Sequence, residues 1–151
     1  MVGVYSSHPT APLALHARCP ALDAAAFRAL DALRLPAMRG SIHVLPRETA
    51  HLPFRAVPEP PARTAARLKH FGLSARRYAE LRDAVLVAAR EPRTLAELGT
   101  AVGAPDDVKA VTATMTREGT LARVGADGLR SNLLRYVAVE LPAAGADEAL
   151  A

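Results

Sequence analysis

Within residues 76–140 the hydrophobic pattern changes from a helical period to a strand period, and this change limits the possible folds most. Residues 120–124 alternate as a strand does, and residues 134–139 read as the returning strand after a glycine-containing turn. The region before them has apolar residues at the three- and four-residue spacing of an amphipathic helix. These residues are Leu81, Val85, Ala88 and Ala89. The pattern therefore predicts helices followed by an antiparallel hairpin.

Helix-capping and helix-breaking residues divide the helical part into three helices. Thr94 and Glu97 have the spacing of a capping box, in which two side chains satisfy amides that have no helical partner. Gly103 ends that short helix, Pro105 suits the first turn of the next, and Gly119 ends it. Three helices and a hairpin predict a winged helix-turn-helix. Such a module favours nucleic-acid binding, although the same scaffold also serves in protein interaction.

The N-terminal half carries signals of a second, incomplete module. Asp23 is suited to cap a helix over residues 24–33, and residues 34–46 look extended with a turn at Arg39 and Gly40. Four prolines between residues 53 and 61 predict a linker. We therefore expect a mostly helical α+β protein with four parts: a partial winged-helix-like module with a β-hairpin over 1–55, a proline-rich linker over 56–62, a winged helix-turn-helix module over 63–141, and a flexible tail over 142–151.

Charge is distributed unevenly along the 151 residues, whose formal net charge is +4. Residues 1–93 carry 14 Arg and Lys against 7 Asp and Glu, whereas residues 94–151 carry 5 against 8. The basic excess therefore precedes the third helix of the predicted module. A net positive charge permits an anionic partner, and we expect double-stranded DNA. An Ala- and Arg-rich composition with solvated cations explains the same numbers without a partner.

Cysteine and histidine usage argues against a metal centre. Cys19 is the only cysteine, so an intrachain disulfide is excluded. His16 and Cys19 have helical ligand spacing, and His43 or His51 would supply a third zinc donor, but a second clustered pair is absent. We expect no metal and no cofactor. No apolar run approaches the ~20 residues of a membrane span, so we expect a cytoplasmic, nucleoid-associated protein without membrane contact.

The candidate DNA-binding residues are mostly arginines. The third helix would present Lys109, Thr112, Thr116 and Arg117 outward, but it has no Asn or Gln to read adenine, and two aspartates precede it. Contact with backbone phosphates is therefore favoured over sequence reading, with the hairpin arginines contributing more than the helix. The full candidate set is Arg39, His43, Arg63, Arg67, Arg76, Arg77, Lys109, Thr116, Arg117, Arg123, Arg130 and Arg135.

Three segments together resemble a known bacterial family. The run Met38–Pro46, MRGSIHVLP, is similar to the M-R-G-T-L-H-L-V signature of tandem winged-helix proteins that include the AlkZ-like DNA glycosylases. The run Leu13–Arg18 resembles the family's Ala-Arg segment, and Pro92–Leu98 resembles the opening of its second winged module. The resemblance spans roughly residues 2–141 in the family's order. It implies a DNA substrate and excision of alkylated bases or unhooking of interstrand crosslinks.

Two departures from the family pattern bear on activity. The family's glycosylases carry a Q-x-Q or Q-x-D motif on the strand before the Ala-Arg segment, and here Tyr5 and Ser7 stand at those positions. The chain contains no glutamine. Family members are usually more than twice as long, so we expect a truncated member that lacks the first helices and a third module. We accordingly expect no catalytic residue and no glycosylase activity.

Two other functions stay open from the sequence. The chain is alternatively a fragment of a glycosylase for alkylated-base or crosslink repair, or a protein-interaction and dimerisation module that does not bind nucleic acid. A module without its first helices leaves apolar faces and a strand edge near residues 2–5 uncovered. We therefore also expect a homo-oligomer or a partner chain at the N-terminal half, which sedimentation would detect.

Overall fold

The computed structural model describes residues 4–5, 10–37, 40–124 and 134–141. The N-terminal half alternates short strands and helices. In order these are β1 (Val4–Tyr5), α1 (Thr10–His16), α2 (Ala24–Ala29), β2 (Ala32–Pro36), β3 (Ile42–Pro46), a 3-10 turn (Arg47–Thr49) and α3 (Leu52–Ala56). Asp23 caps α2 as expected, because its side chain accepts from the amides of Ala25 and Ala26.

The C-terminal half contains the predicted helices and hairpin. Its elements are α4 (Pro61–His70), α5 (Ala75–Ala88), β4 (Arg93–Thr94), α6 (Leu95–Ala101), α7 (Val108–Glu118), β5 (Leu121–Val124) and β6 (Arg135–Ala138). Both bonds of the capping box form, with Glu97 N donating to Thr94 Oγ1 at 3.3 Å and Thr94 N donating to Glu97 Oε2 at 2.7 Å. Gly119 ends α7 at a φ of 77°, a left-handed conformation in which a side chain is strained. The prediction of three helices and an antiparallel hairpin over residues 76–139 is confirmed.

One antiparallel sheet runs through both halves of the chain. Its strand order is β1-β3-β2-β5-β6-β4. The strands β2 and β3 form the N-terminal hairpin, and β2 also pairs with β5 at Arg34 opposite Arg123. This pairing joins the hairpin to the C-terminal strands directly. The sheet thus crosses the predicted linker, while the division into modules stays a prediction.

Each face of the sheet contributes to a hydrophobic core. On one face, Leu121 and Tyr136 pack with the helices α4 to α7, and the cluster includes the fully buried Val111 and Met115. The other core holds residues of both hairpins and of the segment after β3, with Phe54 of α3 packed against it. Its buried members are Leu33, Leu35, Leu45, Ala50, Ala122 and Val139.

Two local predictions in the N-terminal half were wrong. The helix predicted over 24–33 ends at Ala29, and Leu33 lies in β2 opposite Leu45 with 0% of its surface exposed. Pairing with β3 buries alternate residues of β2. The free energy gained from this burial exceeds what the weak local helical pattern would contribute. His43, a predicted DNA contact, is buried, with 7% exposure. Helix α3 ends at Ala56, the first residue of the predicted linker, and the linker itself stays a prediction.

An ion pair joins the end of the proline-rich segment to α4. Glu59 accepts from Arg67 and, at 3.2 Å, from the hydroxyl of Thr64. The exposed fractions of the Arg67 and Glu59 side chains are only 14% and 18%. Burial alone raises the pKa of the Glu59 carboxyl, but the bonds and charge of Arg67, with Thr64, outweigh it and hold the pKa below its ordinary value. Arg67 was predicted to lie on the surface, and this pairing explains why it does not.

We predict that Glu59→Gln lowers the free energy of unfolding at pH 7 by about 1–2 kcal/mol, because a charge-assisted bond of the half-buried Arg67 is weakened. The pKa of this carboxyl is lower in the folded protein than in the unfolded chain, so its contribution is present above the unfolded pKa of about 4.3 and is lost as pH falls through the folded pKa. Urea unfolding of wild type and variant from pH 7 to the acid range measures this difference. Glu48→Gln, at an exposed position, is the control. An equal difference at every pH would contradict the prediction.

Candidate nucleic-acid interface

Helix α7, the third helix of the predicted module, is buried on most of its sides. It contacts β5, β2, α4, α5 and α6. Seven of its residues are buried, and its exposed positions include Lys109 and Arg117, which are eight residues apart on one narrow stripe. A helix that enters the major groove must present a broad face to the bases. In this chain α7 is a core element with a thin exposed edge.

The predicted outward face of α7 was wrong for Thr112 and Thr116. Each is 2% exposed, and their hydroxyls donate to the backbone carbonyls of Lys109 and Ala113 at 3.2 and 3.1 Å. The prediction placed both threonines outward because their side chains are polar. In the helix, however, they lie beside the apolar residues that face the core. Hydroxyls that bond to their own helix backbone can be buried without another partner, which is why burial is tolerated here.

Two polar contacts hold the C-terminal turn of α7. The Tyr78 hydroxyl donates to Glu118 at 2.7 Å, and the Nε of Arg82 lies 3.6 Å from the same carboxylate. Burial, with the bond to Glu118, raises the pKa of the Tyr78 hydroxyl well above its ordinary value, so Tyr78 stays a protonated donor. The Nη1 of Arg117 lies 2.7 Å from the point where a Cβ on Gly40 would stand. Arg117 therefore packs against the turn between β2 and β3.

The surface arginines at the start of α5 are paired with carboxylates. The Nε of Arg76 lies 3.1 Å from Glu80, and Arg77 reaches both Glu80 and Asp107 at 3.7 and 3.3 Å. Asp107 precedes α7, so the pair links the two helices as well. Such exposed pairs contribute little to stability, but each carboxylate reduces the positive potential that an anion would meet.

The side chains of three exposed cations, Arg63 and Lys69 on α4 and Lys109 on α7, make neither a hydrogen bond nor an ion pair with the described residues. The two helices pack against each other. Arg63 and Lys109 were predicted as DNA contacts, and Lys69 was not among the predicted contacts. An anion could bind these side chains without breaking an ion pair that the fold uses.

The two arginines of the hairpin strands are less exposed than the sequence suggested. Arg123 is half-buried on β5, with its guanidinium carbon 5.8 Å from the centroid of the Tyr136 ring. Arg135 is half-buried on β6, opposite Thr94, and its charge lowers the pKa of Glu97, whose largest shift comes from the Thr94 backbone amide. Arg130, the remaining predicted wing residue, lies outside the described residues.

The position of the family's glutamine motif falls at an edge of the sheet. The backbone of Tyr5 in β1 pairs with that of His43 in β3. The Nδ1 of His43 lies 2.9 Å from the carbonyl oxygen of Ser41, so the tautomer with a proton on Nδ1 donates there. Ser7 and Arg39 lie outside the described residues. The register thus brings His43, which the sequence singled out, next to the motif strand.

The proposed zinc donors are not brought together. In the described part of the chain, three or more His, Cys, Asp or Glu side chains nowhere cluster as metal ligands do. Cys19 is exposed. His51 is 5% exposed, and neither of its ring nitrogens has a hydrogen-bond partner among the residues that the structure describes. Among the same residues, every helix is too short or too polar to traverse a bilayer.

Arg34 is a potentially functional residue of the described part of the chain that was absent from the predicted set. It lies in β2 between the buried Leu33 and Leu35, directly opposite Arg123. The alternation of Leu33, Arg34 and Leu35 is a strand signal that would have found it. The prediction of a helix through Leu33 concealed that signal.

Comparisons with known proteins agree with this architecture. The family model described as "DNA glycosylase AlkZ-like" matches residues 2–150. The fold is similar to that of the solved Streptomyces sahachiroi DNA glycosylase AlkZ, with a TM-score of 0.65 and 20% sequence identity. The match covers 97% of this chain and 46% of that chain, so the present chain spans about half the length of this relative. No match was found among curated protein sequences.

The burial of α7 leads to a prediction about one residue. Thr116→Arg should lower the free energy of unfolding by about 3 kcal/mol or more, because a guanidinium replaces a fully buried side chain. The same change at Thr100, exposed on α6, should alter stability by less than about 0.5 kcal/mol. Urea denaturation of both variants compares them. Equal stability of the two, or tighter DNA binding by the Thr116 variant, would mean that this face of α7 is open.

Proposed function

The chain belongs to the AlkZ-like family of DNA glycosylases, and we propose that it binds double-stranded DNA through backbone phosphates with little sequence preference. DNA repair is the process with which this family is associated. The activity of the longer AlkZ relative extends to this chain only as part of the proposal, since the two share about half of that protein's length. Binding is proposed to take place in the cytoplasm, at the nucleoid.

The burial of α7 carries the proposal that sequence is not read. We interpret α5, α6, α7 and the β5–β6 hairpin as a winged helix-turn-helix, in which α7 has the recognition-helix position. Its exposed cations are Lys109 and Arg117, at opposite ends of the helix, and Arg117 is already packed against Gly40. Base-edge reading requires several side chains from one open face. Phosphate contact requires only accessible cations, which α4 and the start of α7 supply.

Exposed cations of the packed helices α4 and α7 that neither pair with a carboxylate of the described residues nor pack against the β2–β3 turn are the proposed contacts. Arg63, Lys69 and Lys109 meet this criterion, whereas Arg76 and Arg77 face Glu80. Binding by such cations displaces condensed counterions, so affinity falls steeply with salt. The wing residues Arg130 and Arg135 remain predicted phosphate contacts.

We predict that the double variant Arg63→Gln, Lys109→Gln weakens binding to every duplex alike. The slope of log affinity against log salt should become less negative by about 0.9 for each phosphate that the variant no longer neutralises. Fluorescence anisotropy with random duplex at several salt concentrations measures both quantities. The matched control is Arg47→Gln, Arg76→Gln, which removes the same charge from arginines already paired with Asp31 and Glu80.

The control decides between local contact and net charge. If both double variants weaken binding equally, total charge rather than the proposed contacts governs affinity. If wild type does not bind duplex at low salt, the DNA proposal fails and an interaction or dimerisation module is left, for which self-association remains a prediction. Salt-insensitive binding to one sequence would show that bases are read after all.

A glycosylase is the second candidate function, and family membership is the observation that favours it. The chain has no glutamine, and Tyr5 stands at a position of the family motif, opposite His43 in the sheet. A phenol or a serine hydroxyl does not replace a carboxamide that orients water or stabilises positive charge on the sugar. We therefore propose that the mechanism of the family's glutamine-containing enzymes does not operate here.

We accordingly predict no release of alkylated bases from methylated duplex DNA above a no-protein control. Chromatographic detection of free bases under single-turnover conditions is the measurement. The prediction is overturned by excision that disappears in Tyr5→Ala or in His8→Ala, the histidine that follows Ser7 in the sequence, since one of these side chains would then act as the base. His43→Ala provides a further comparison, because His43 pairs with that strand.

A further inference from the structure

Arg34 and Arg123 form a like-charged pair where the two halves of the sheet meet. They are direct partners across antiparallel strands. Side chains so placed project from the same face with Cβ atoms about 4.5–5.5 Å apart, and like charges in that position destabilise a sheet. The row continues across the sheet to Tyr136 and then Arg93, since Arg123 pairs with Tyr136 and Tyr136 pairs with Arg93. Three of four neighbouring positions in this row are therefore arginine.

Neither guanidinium of the central pair is neutralised within the described residues. Both side chains are half-buried, and the Nε atom of each is buried without a hydrogen-bond partner in the described part of the chain. The described part of the chain offers no ion pair to Arg34 or Arg123. Burial, followed by the charge of Arg123, lowers the pKa of Arg34, but an arginine still keeps its proton near neutral pH. The fold therefore keeps two positive charges together at a cost in stability.

Arg67, another arginine with little exposed surface, shows a different arrangement. It has Glu59 as its carboxylate partner. Within the described residues Arg123 has instead the ring of Tyr136, and a cation–π contact at 5.8 Å is a weak compensation. An anion between Arg34 and Arg123 would remove the repulsion and supply acceptors for unpaired donors at once.

We propose that Arg34 and Arg123 form a binding site for a single phosphate group. A phosphate has several acceptor oxygens and at least one negative charge, so two guanidinium groups can bind different oxygens of it together. The partial exposure of both side chains leaves an approach from solvent. This site rests on the proposed function insofar as the phosphate belongs to a DNA backbone, whereas free phosphate has the same chemistry.

The site is tested by the melting temperature in inorganic phosphate and in sodium chloride at equal ionic strength. Wild type should melt higher in phosphate, because a ligand that binds the folded state stabilises it. Arg34→Met keeps the aliphatic stem and removes the repulsion, so its melting temperature in chloride should rise by about 2–4 °C. In this variant, phosphate should no longer raise the melting temperature above its value in chloride. Arg90→Met, at an exposed position, is matched in charge and should keep the phosphate effect.

A second variant and a second anion keep the test decisive. Arg34→Lys retains a charge but has no planar fork, so the phosphate effect should shrink without vanishing. A phosphate effect that persists in Arg34→Met overturns the site, as does an equal loss in Arg90→Met. An equal rise in acetate also overturns it, because the pair would then be a carboxylate site.

Competition identifies the source of the phosphate. Phosphorus NMR of inorganic phosphate with the protein, before and after addition of random duplex, follows displacement from the site. Displacement assigns the site to backbone phosphate, and continued binding beside bound duplex assigns it to free phosphate. A protein that fails to bind duplex but shows the Arg34-dependent phosphate effect would refute the proposed function and leave this site standing.

Discussion

Packing around α7 is the constraint on which the rest of the structure depends. The helix touches β2 from the N-terminal half and β5, α4, α5 and α6 from the C-terminal half. Its apolar residues fill one core, while Gly119 at its end lies against Phe54 of α3. Because one helix serves both halves, the N-terminal hairpin cannot move away without breaking the contacts of β2 with α7. This is why the third helix of the predicted module offers so little exposed surface.

The sequence predicts the structure well where interactions between nearby residues determine the conformation. The capping box of Thr94 and Glu97, the cap at Asp23 and the left-handed Gly119 each depend on residues only a few positions apart. The errors arise where distant segments meet. Leu33 belongs to a strand because β3 pairs with it, and Thr116 is buried although its own helix pattern suggests otherwise. Neither the strand at Leu33 nor the burial of Thr116 can be predicted from a few neighbouring residues in the sequence.

The residues of the candidate interface also fall into two groups, those that the sequence could predict and those that it could not. Exposure of Arg63 and Lys109 follows from their helices and was predictable. The pairing of Arg67 with Glu59 and the position of Arg34 opposite Arg123 were not, since both depend on which segments the fold brings together. Charge counts over the two halves of the chain therefore overstate the cations that an anionic partner would meet. Several of these cations pair or pack with other residues of the fold instead.

The junction of β2 with β5 also has a kinetic consequence. Arg34 and Arg123 are separated by about ninety residues, so forming this contact closes a long loop. The hairpin β2–β3 and the helices α5 to α7 depend on contacts much closer in sequence, and such contacts form sooner. A nascent chain would thus complete its two ends separately and join them last, against the mutual repulsion of two arginines. A phosphate bound between the two arginines, as proposed above, would offset that repulsion in the final step.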